Sequence, residues 1–231
     1  TVFSSLGFGI GLVGLPLLLL VFDTQTAIVL INSTAITLIL LIYLNNRERT
    51  DFMRILPIGI CGVIGALLGA YVLKVADETT LRIIILVMIL IFTTVTAFNI
   101  TITVPKPALT GPLIGFLIGL AITAVGIGGP LLVLYMLALE WPRHTVRASM
   151  ALFFMFMMTA ALVGYASGGL YTPNRLILIG AAFVPALGGF YFGNRIAHSM
   201  NERVFRYFVV ILIATSSVIA LTRELLKLVG G

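Results

Sequence analysis

The chain has 231 residues, 60% of them hydrophobic and only 10% charged, with a mean hydropathy of +1.18. Soluble domains carry about 25% charged residues, so a water-soluble fold is excluded and a multi-pass membrane protein is implied. The net charge of +6 comes from 14 basic residues spread over many loops, which excludes a nucleic-acid surface; the single cysteine, Cys61, excludes an internal disulfide, a thiolate metal cluster and a CxxC redox pair.

Eight apolar runs follow in chain order, at 2–22, 27–44, 55–73, 81–98, 112–139, 148–167, 176–193 and 204–222. Each approaches or exceeds the roughly 20 residues that a helix needs to cross a bilayer, and together they predict an all-α integral membrane protein. The first run carries Gly11, Gly14 and Pro16 and ends at Asp23. A few residues into the second stand Asn32, Ser33 and Thr34, and the polar loop NNRERTDFMR (45–54) separates it from the third. Thr93, Thr94, Thr96 and Asn99 enrich the end of the fourth, either to line a pathway or to pack against a neighbouring helix. A linker with two prolines, NITITVPKPALTG (99–111), divides the chain into a first repeat (1–98) and a second (112–231).

The two parts resemble each other in order. GLPLLLL (14–20) aligns with GGPLLVL (128–134), so that Pro16 stands opposite Pro130, and each stretch runs to an acid, Asp23 or Glu140. Nine residues beyond those acids come Asn32 and Ser149. GALLGAY (65–71) then matches PALGGFY (185–191), and TTLRIII (79–85) falls opposite RVFRYFV (203–209). This order implies an internal duplication, a common plan of secondary transporters. Two topologies fit it. If every run crosses, the basic residues divide seven against seven, with Arg175 on the side of Arg47, Arg49 and Arg54 and opposite Lys74 and Arg82. If the first run of each half is re-entrant, Lys74, Arg82, Arg175, Arg223 and Lys227 share one side against the other nine and the halves are inverted.

AVGIGGPLLVLY (124–135) places three glycines and a proline inside a membrane-length run. Backbone amides cannot stay unpaired in lipid, so a break at that depth is tolerated only where protein buries it or a polar cavity receives it. Gly126, Gly128 and Gly129 permit the turn, and Pro130 suits the first position of a new helix. The helix from about 130 to 139 would then point free N–H groups and the positive end of its dipole inward, an anion site. GLVGLP (11–16) predicts a degenerate copy in the first half, through Gly14 and Pro16, so that two helix starts face each other.

Asn32 and Ser33, with Ser149 at the corresponding place in the sixth run, offer amide and hydroxyl donors that can complete an oxyanion's shell without a buried charge. They can equally bond their own helix backbone. Arg147 can grip an anion with its planar fork or reach for a lipid headgroup. His144 and His198 fall in polar loops and form no metal set with Cys61. Trp141 and several tyrosines near run ends fit interfacial anchors. No cofactor is indicated. HExxH, GxSG with a partner histidine and paired intramembrane aspartates are absent, which argues against an enzyme.

GIGGPLLVLYMLAL (126–139), followed by ASMALF (148–153), resembles the glycine-rich signature of the TauE/SafE sulfite exporter family, as does the two-half plan. In one respect the chain departs from it: Pro130 stands where the family usually shows a third consecutive glycine. The resemblance implies a multi-pass secondary transporter of the plasma membrane (the bacterial inner membrane) that exports sulfite, an organosulfonate or a related small anion. Its partners would be that anion and the lipid bilayer, and a homodimer is compatible with the plan. Transport would proceed by alternating access, one half moving against the other; the alternative is an anion channel with the same site lining a pore.

Overall fold

The computed structural model describes residues 9–44, 47–97, 107–138, 143–199, 211, 213 and 215–222, and the described elements are helical. In chain order they are α1 (Gly9–Leu18), α2 (Thr24–Leu44), a 3-10 turn (Arg47–Arg49), α3 (Phe52–Val75), α4 (Glu78–Ala97), α5 (Pro107–Val125), α6 (Gly129–Ala138), α7 (Arg143–Ser167), α8 (Pro173–Ser199) and a helical stretch at 215–222. Four of them are long and apolar enough to cross a membrane: Thr24–Leu44, Phe52–Val75, Glu78–Val95 and Ala148–Ser167. The sequence expectation of a linker at 99–111 is shortened, because α5 already begins at Pro107, where a missing amide breaks no helical bond.

α3 shows how the chain packs without a water-driven core. Its small residues Gly59, Gly62, Gly65, Gly69 and Ala70 recur at helical spacing on the buried side, while Ile60, Ile64, Leu67, Leu68, Tyr71 and Val75 form an exposed apolar stripe. That is the pattern of a helix with lipid on one side and close backbone contact on the other. The contact is with α5. A methyl on Gly69 would lie 2.6 Å from the Leu120 carbonyl oxygen, and one on Gly65, Gly115 or Gly119 would strike the facing backbone at Phe116, Ile58 or Gly62. The pairs ascend together along both helices, so α3 and α5 run parallel. α2 and α7 are the most buried of the four long helices.

The helix ends are tied by polar bonds. At one end, Arg82 donates to the Phe22 carbonyl (2.9 Å), and Gln25 donates to the carbonyls of Leu73 and Lys74 (3.1 and 3.5 Å). Arg175 at the start of α8 donates to Thr26 Oγ1 (2.8 Å), the Leu170 carbonyl (3.0 Å), Gln25 (3.2 Å) and Asp23 (3.3 Å). Lys74, Arg82 and Arg175 therefore share one end of the molecule. Asp51 and Ser149 meet at the opposite end, where the Asp51 amide donates to Ser149 Oγ (3.4 Å).

One expectation is corrected. α1 runs unbroken through Gly11, Gly14 and Pro16, with Pro16 as its eighth residue rather than at a helix start. The glycines here serve close approach, since a methyl on Gly11 would sit 2.6 Å from the Gly126 carbonyl oxygen. A single proline removes one helical bond, to the Leu12 carbonyl, and that alone does not end the helix.

Candidate functional site

The chain does break where GIGGP predicts. Gly126 takes a left-handed φ of 73°, its amide still bonded to the Ile122 carbonyl at 3.0 Å, and the Ile127 amide reaches back to Ala121 at 3.4 Å. A side chain at that φ is strained, and here one would also meet Leu15 Cδ2 at 3.0 Å. α6 starts at Gly129, which puts Pro130 second in the helix rather than first. Leu132 is the first residue whose amide finds a helical acceptor, the Gly128 carbonyl at 3.2 Å. The amides of Gly128, Gly129 and Leu131 precede the ladder, and Pro130 has none to leave unpaired. α6 then doubles back along α5: Gly128 lies against Ile118 and Ile122, and Gly111 lies beside the Tyr135 hydroxyl.

The severed end of α5 leaves the Thr123 carbonyl without a helical donor, while the Ile122 carbonyl keeps the Gly126 amide, and two side chains bond this end. Asn32 Nδ2 donates to the Ile122 carbonyl (3.1 Å) and to the Tyr165 hydroxyl (2.7 Å), which in turn donates to the Thr123 carbonyl (2.8 Å). The Ile122 carbonyl only accepts, and this fixes which way the Asn32 amide faces. Asn32 is 2% exposed and Tyr165 fully buried. The pair caps the broken helix from α2 and α7, and so holds the turn in place.

Asn32 also lines a cavity of about 40 Å³. By the measure in which a water needs some 10–15 Å³, it would hold a small oxyanion. The break supplies one wall with Gly126, Gly128, Gly129 and Pro130; Gly11 of α1 and Asn32 of α2 add to it. Ile31, Ile39, Phe154 and Met158 make the rest apolar, and no described lining residue is charged.

Of the residues singled out from sequence, the cavity brings together Asn32, Gly126, Gly128, Gly129 and Pro130. The others lie elsewhere. Gly14 packs on Ile31, Pro16 is buried within α1, and Ser33 Oγ bonds the Tyr171 hydroxyl (3.0 Å) near the Arg175 end. Ser149, which stands opposite Asn32 when the two halves are aligned, is engaged at the far end of the molecule by Asp51. Arg147 falls on α7, but its side chain lies outside the described residues, as do those of His144, His198, Thr96, Asn99, Glu140 and Trp141. Thr34 and Thr94 bond their own helix backbones, to Leu30 and Leu90.

Tyr165 escaped the sequence reading because a tyrosine two residues from a helix end resembles an interfacial anchor. The available signal was its neighbour: Gly164 lets α7 approach α3 so closely that a methyl there would lie 2.5 Å from Ala70 Cβ. That turn of the helix is therefore interior.

A family model described as Sulfite exporter TauE/SafE matches residues 1–219, nearly the whole chain. No curated protein and no solved structure matches it. The four long apolar helices are thus those of a multi-pass membrane protein from a family of transporters rather than enzymes.

Proposed function

The chain belongs to the sulfite exporter TauE/SafE family, and from that premise we propose that it is a secondary transporter of sulfite, an organosulfonate or a related small anion, binding it in the cavity at the helix break. The observation that carries this reading is the coincidence of the cavity with the start of α6: Gly128 and Gly129 line it, and their amides stand before the helical ladder begins. Such N–H groups, with the positive end of the helix dipole behind them, attract an anion. The apolar walls make each of these bonds stronger than it would be in water.

We read the placement of Lys74, Arg82 and Arg175 at one end as the re-entrant arrangement, in which α5 and α6 enter and leave on the same side. α1 also leads away from the cavity, toward the opposite side from α6, which supports two inverted halves. The membrane itself we take to be a plasma membrane. Transport by alternating access is favoured over a channel because Arg175 ties three elements together at one end of the molecule.

Reconstituted vesicles test the reading. Sulfite efflux should saturate, and external sulfite should drive counterflow of a labelled internal pool. Flux that rises without saturation and shows no counterflow would identify the channel alternative. No movement of sulfite or any sulfonate would refute the anion reading.

A further inference from the structure

The cavity offers its ligand more than donors. Asn32 spends both amide hydrogens on the protein, at the Ile122 carbonyl and the Tyr165 hydroxyl. Its planar amide turns Oδ1 away from those two acceptors, and no described residue donates to that oxygen. Asn32 lines the cavity, and the polar atom its side chain has left to offer is this acceptor, on a side chain only 2% exposed. A fully ionised oxyanion, with nothing to donate, would meet it oxygen to oxygen.

The charge balance points the same way. The described lining residues include no cation, and the Born cost of moving an ion out of water grows with the square of its charge. A dianion would therefore bear about four times the desolvation penalty of a monoanion of the same size. Resting on the oxyanion reading above, we propose that the site selects a monoanion carrying its own hydrogen-bond donor: the O–H of hydrogen sulfite or an N–H of a sulfamate-class ligand, directed at Asn32 Oδ1, with its oxygens at the Gly128 and Gly129 amides. Sulfite in its doubly charged form is the disfavoured species.

The surroundings allow a clean test by pH. No described side chain lining the cavity titrates; the titratable group that touches Asn32 is Tyr165, whose hydroxyl is committed as a donor to Thr123. A change in affinity around neutral pH would thus report the ligand's protonation.

The experiment measures the melting temperature of the full-length protein in detergent as each anion is titrated in. Sulfamate and methanesulfonate are both singly charged and nearly equal in shape, but sulfamate alone carries N–H groups. Sulfamate should stabilise with no pH dependence, and methanesulfonate should bind roughly tenfold or more weakly, the effect of leaving a buried acceptor unpaired. The apparent affinity for sulfite should fall about tenfold between one pH unit below and one above the ionisation of hydrogen sulfite. If methanesulfonate matches sulfamate, or sulfite binds equally well across that range, the donor requirement is overturned while the anion site stands. If none of the three anions shifts the melting temperature, the proposal and the oxyanion reading fail together.

Discussion

GLVGLP in the first half and GIGGP in the second carry the same residue types, and the chain treats them differently. In the first, Gly11, Gly14 and Pro16 are absorbed into α1, which stays helical to Leu18. In the second, the helix stops at Val125, turns through Gly126 and restarts at Gly129. What separates the two is the support available rather than the glycines alone. A break strands carbonyls and amides, and the second has Tyr165, held by Asn32, to donate to the Thr123 carbonyl and a cavity lined by Gly128 and Gly129. Gly11 meanwhile lets α1 lie against the Gly126 carbonyl. The two motifs divide the labour: one is the break and the other packs against it.

Removing the cap should separate them most sharply. Tyr165→Phe deletes a bond from Asn32 and a bond to Thr123, leaving a buried carbonyl without its donor, and should lower stability by about 2 kcal/mol. Denaturation in mild detergent measures it. The same substitution at the exposed Tyr71 should have no comparable effect.

Alanine at the glycines comes next. Gly126→Ala forces a side chain into left-handed φ beside Leu15 and should cost about 1–2 kcal/mol. Gly14→Ala meets only the tip of Ile31 at 3.0 Å inside a regular helix, and should be neutral or mildly stabilising by up to ~1 kcal/mol. Equal losses at both positions in thermal unfolding would erase the distinction drawn here.

The prolines give a finer reading through hydrogen exchange. Pro16→Ala adds an amide that can bond the Leu12 carbonyl inside α1 and should exchange slowly. Pro130→Ala adds one in the first turn of α6, beside the cavity, where no helical acceptor exists. It should exchange faster, and stability should change by less than about 1 kcal/mol.

The smallest effect expected lies at Asp23. Partial burial raises its pKa, but hydrogen bonds from Thr26 and the charge of Arg175 outweigh this and hold the carboxyl below its ordinary 3.8. A carboxylate depressed on folding stabilises the protein above its unfolded pKa, and that contribution is lost as pH falls through the folded value. Asp23→Asn should therefore flatten the loss of stability below about pH 4 and change little at neutral pH. Melting curves over that acid range would show it.

The spans were legible because lipid-length apolar runs bounded by charge admit few alternatives. The expected 27–44, 55–73, 81–98 and 148–167 became Thr24–Leu44, Phe52–Val75, Glu78–Ala97 and Arg143–Ser167. Gly126 to Pro130 were legible for a similar reason, since adjacent glycines followed by proline strongly disfavour a continuous helix. Other features were not. Asn32 lies 90 residues from the carbonyl it caps, and only the fold reveals that its donors are taken. Ser33 and Ser149 were chosen by residue type and register, but helix rotation turned one toward Tyr171 and placed the other at the far end of α7. Similarity between the copies concealed the difference in α1, because a pattern of glycine and proline does not say whether neighbours exist to receive the broken ends.

The parallel contact of α3 with α5 bears on how such a molecule could move. These helices are separated in sequence by α4, and at Gly62, Gly65, Gly115 and Gly119 their shared face brings backbone against backbone. They form a closely packed pair, and α5 leads directly to the turn at Gly126. A movement that separated α3 from α5 would have to prise that contact apart. The contact thus joins residues on both sides of the segment that links the two repeats expected from the sequence.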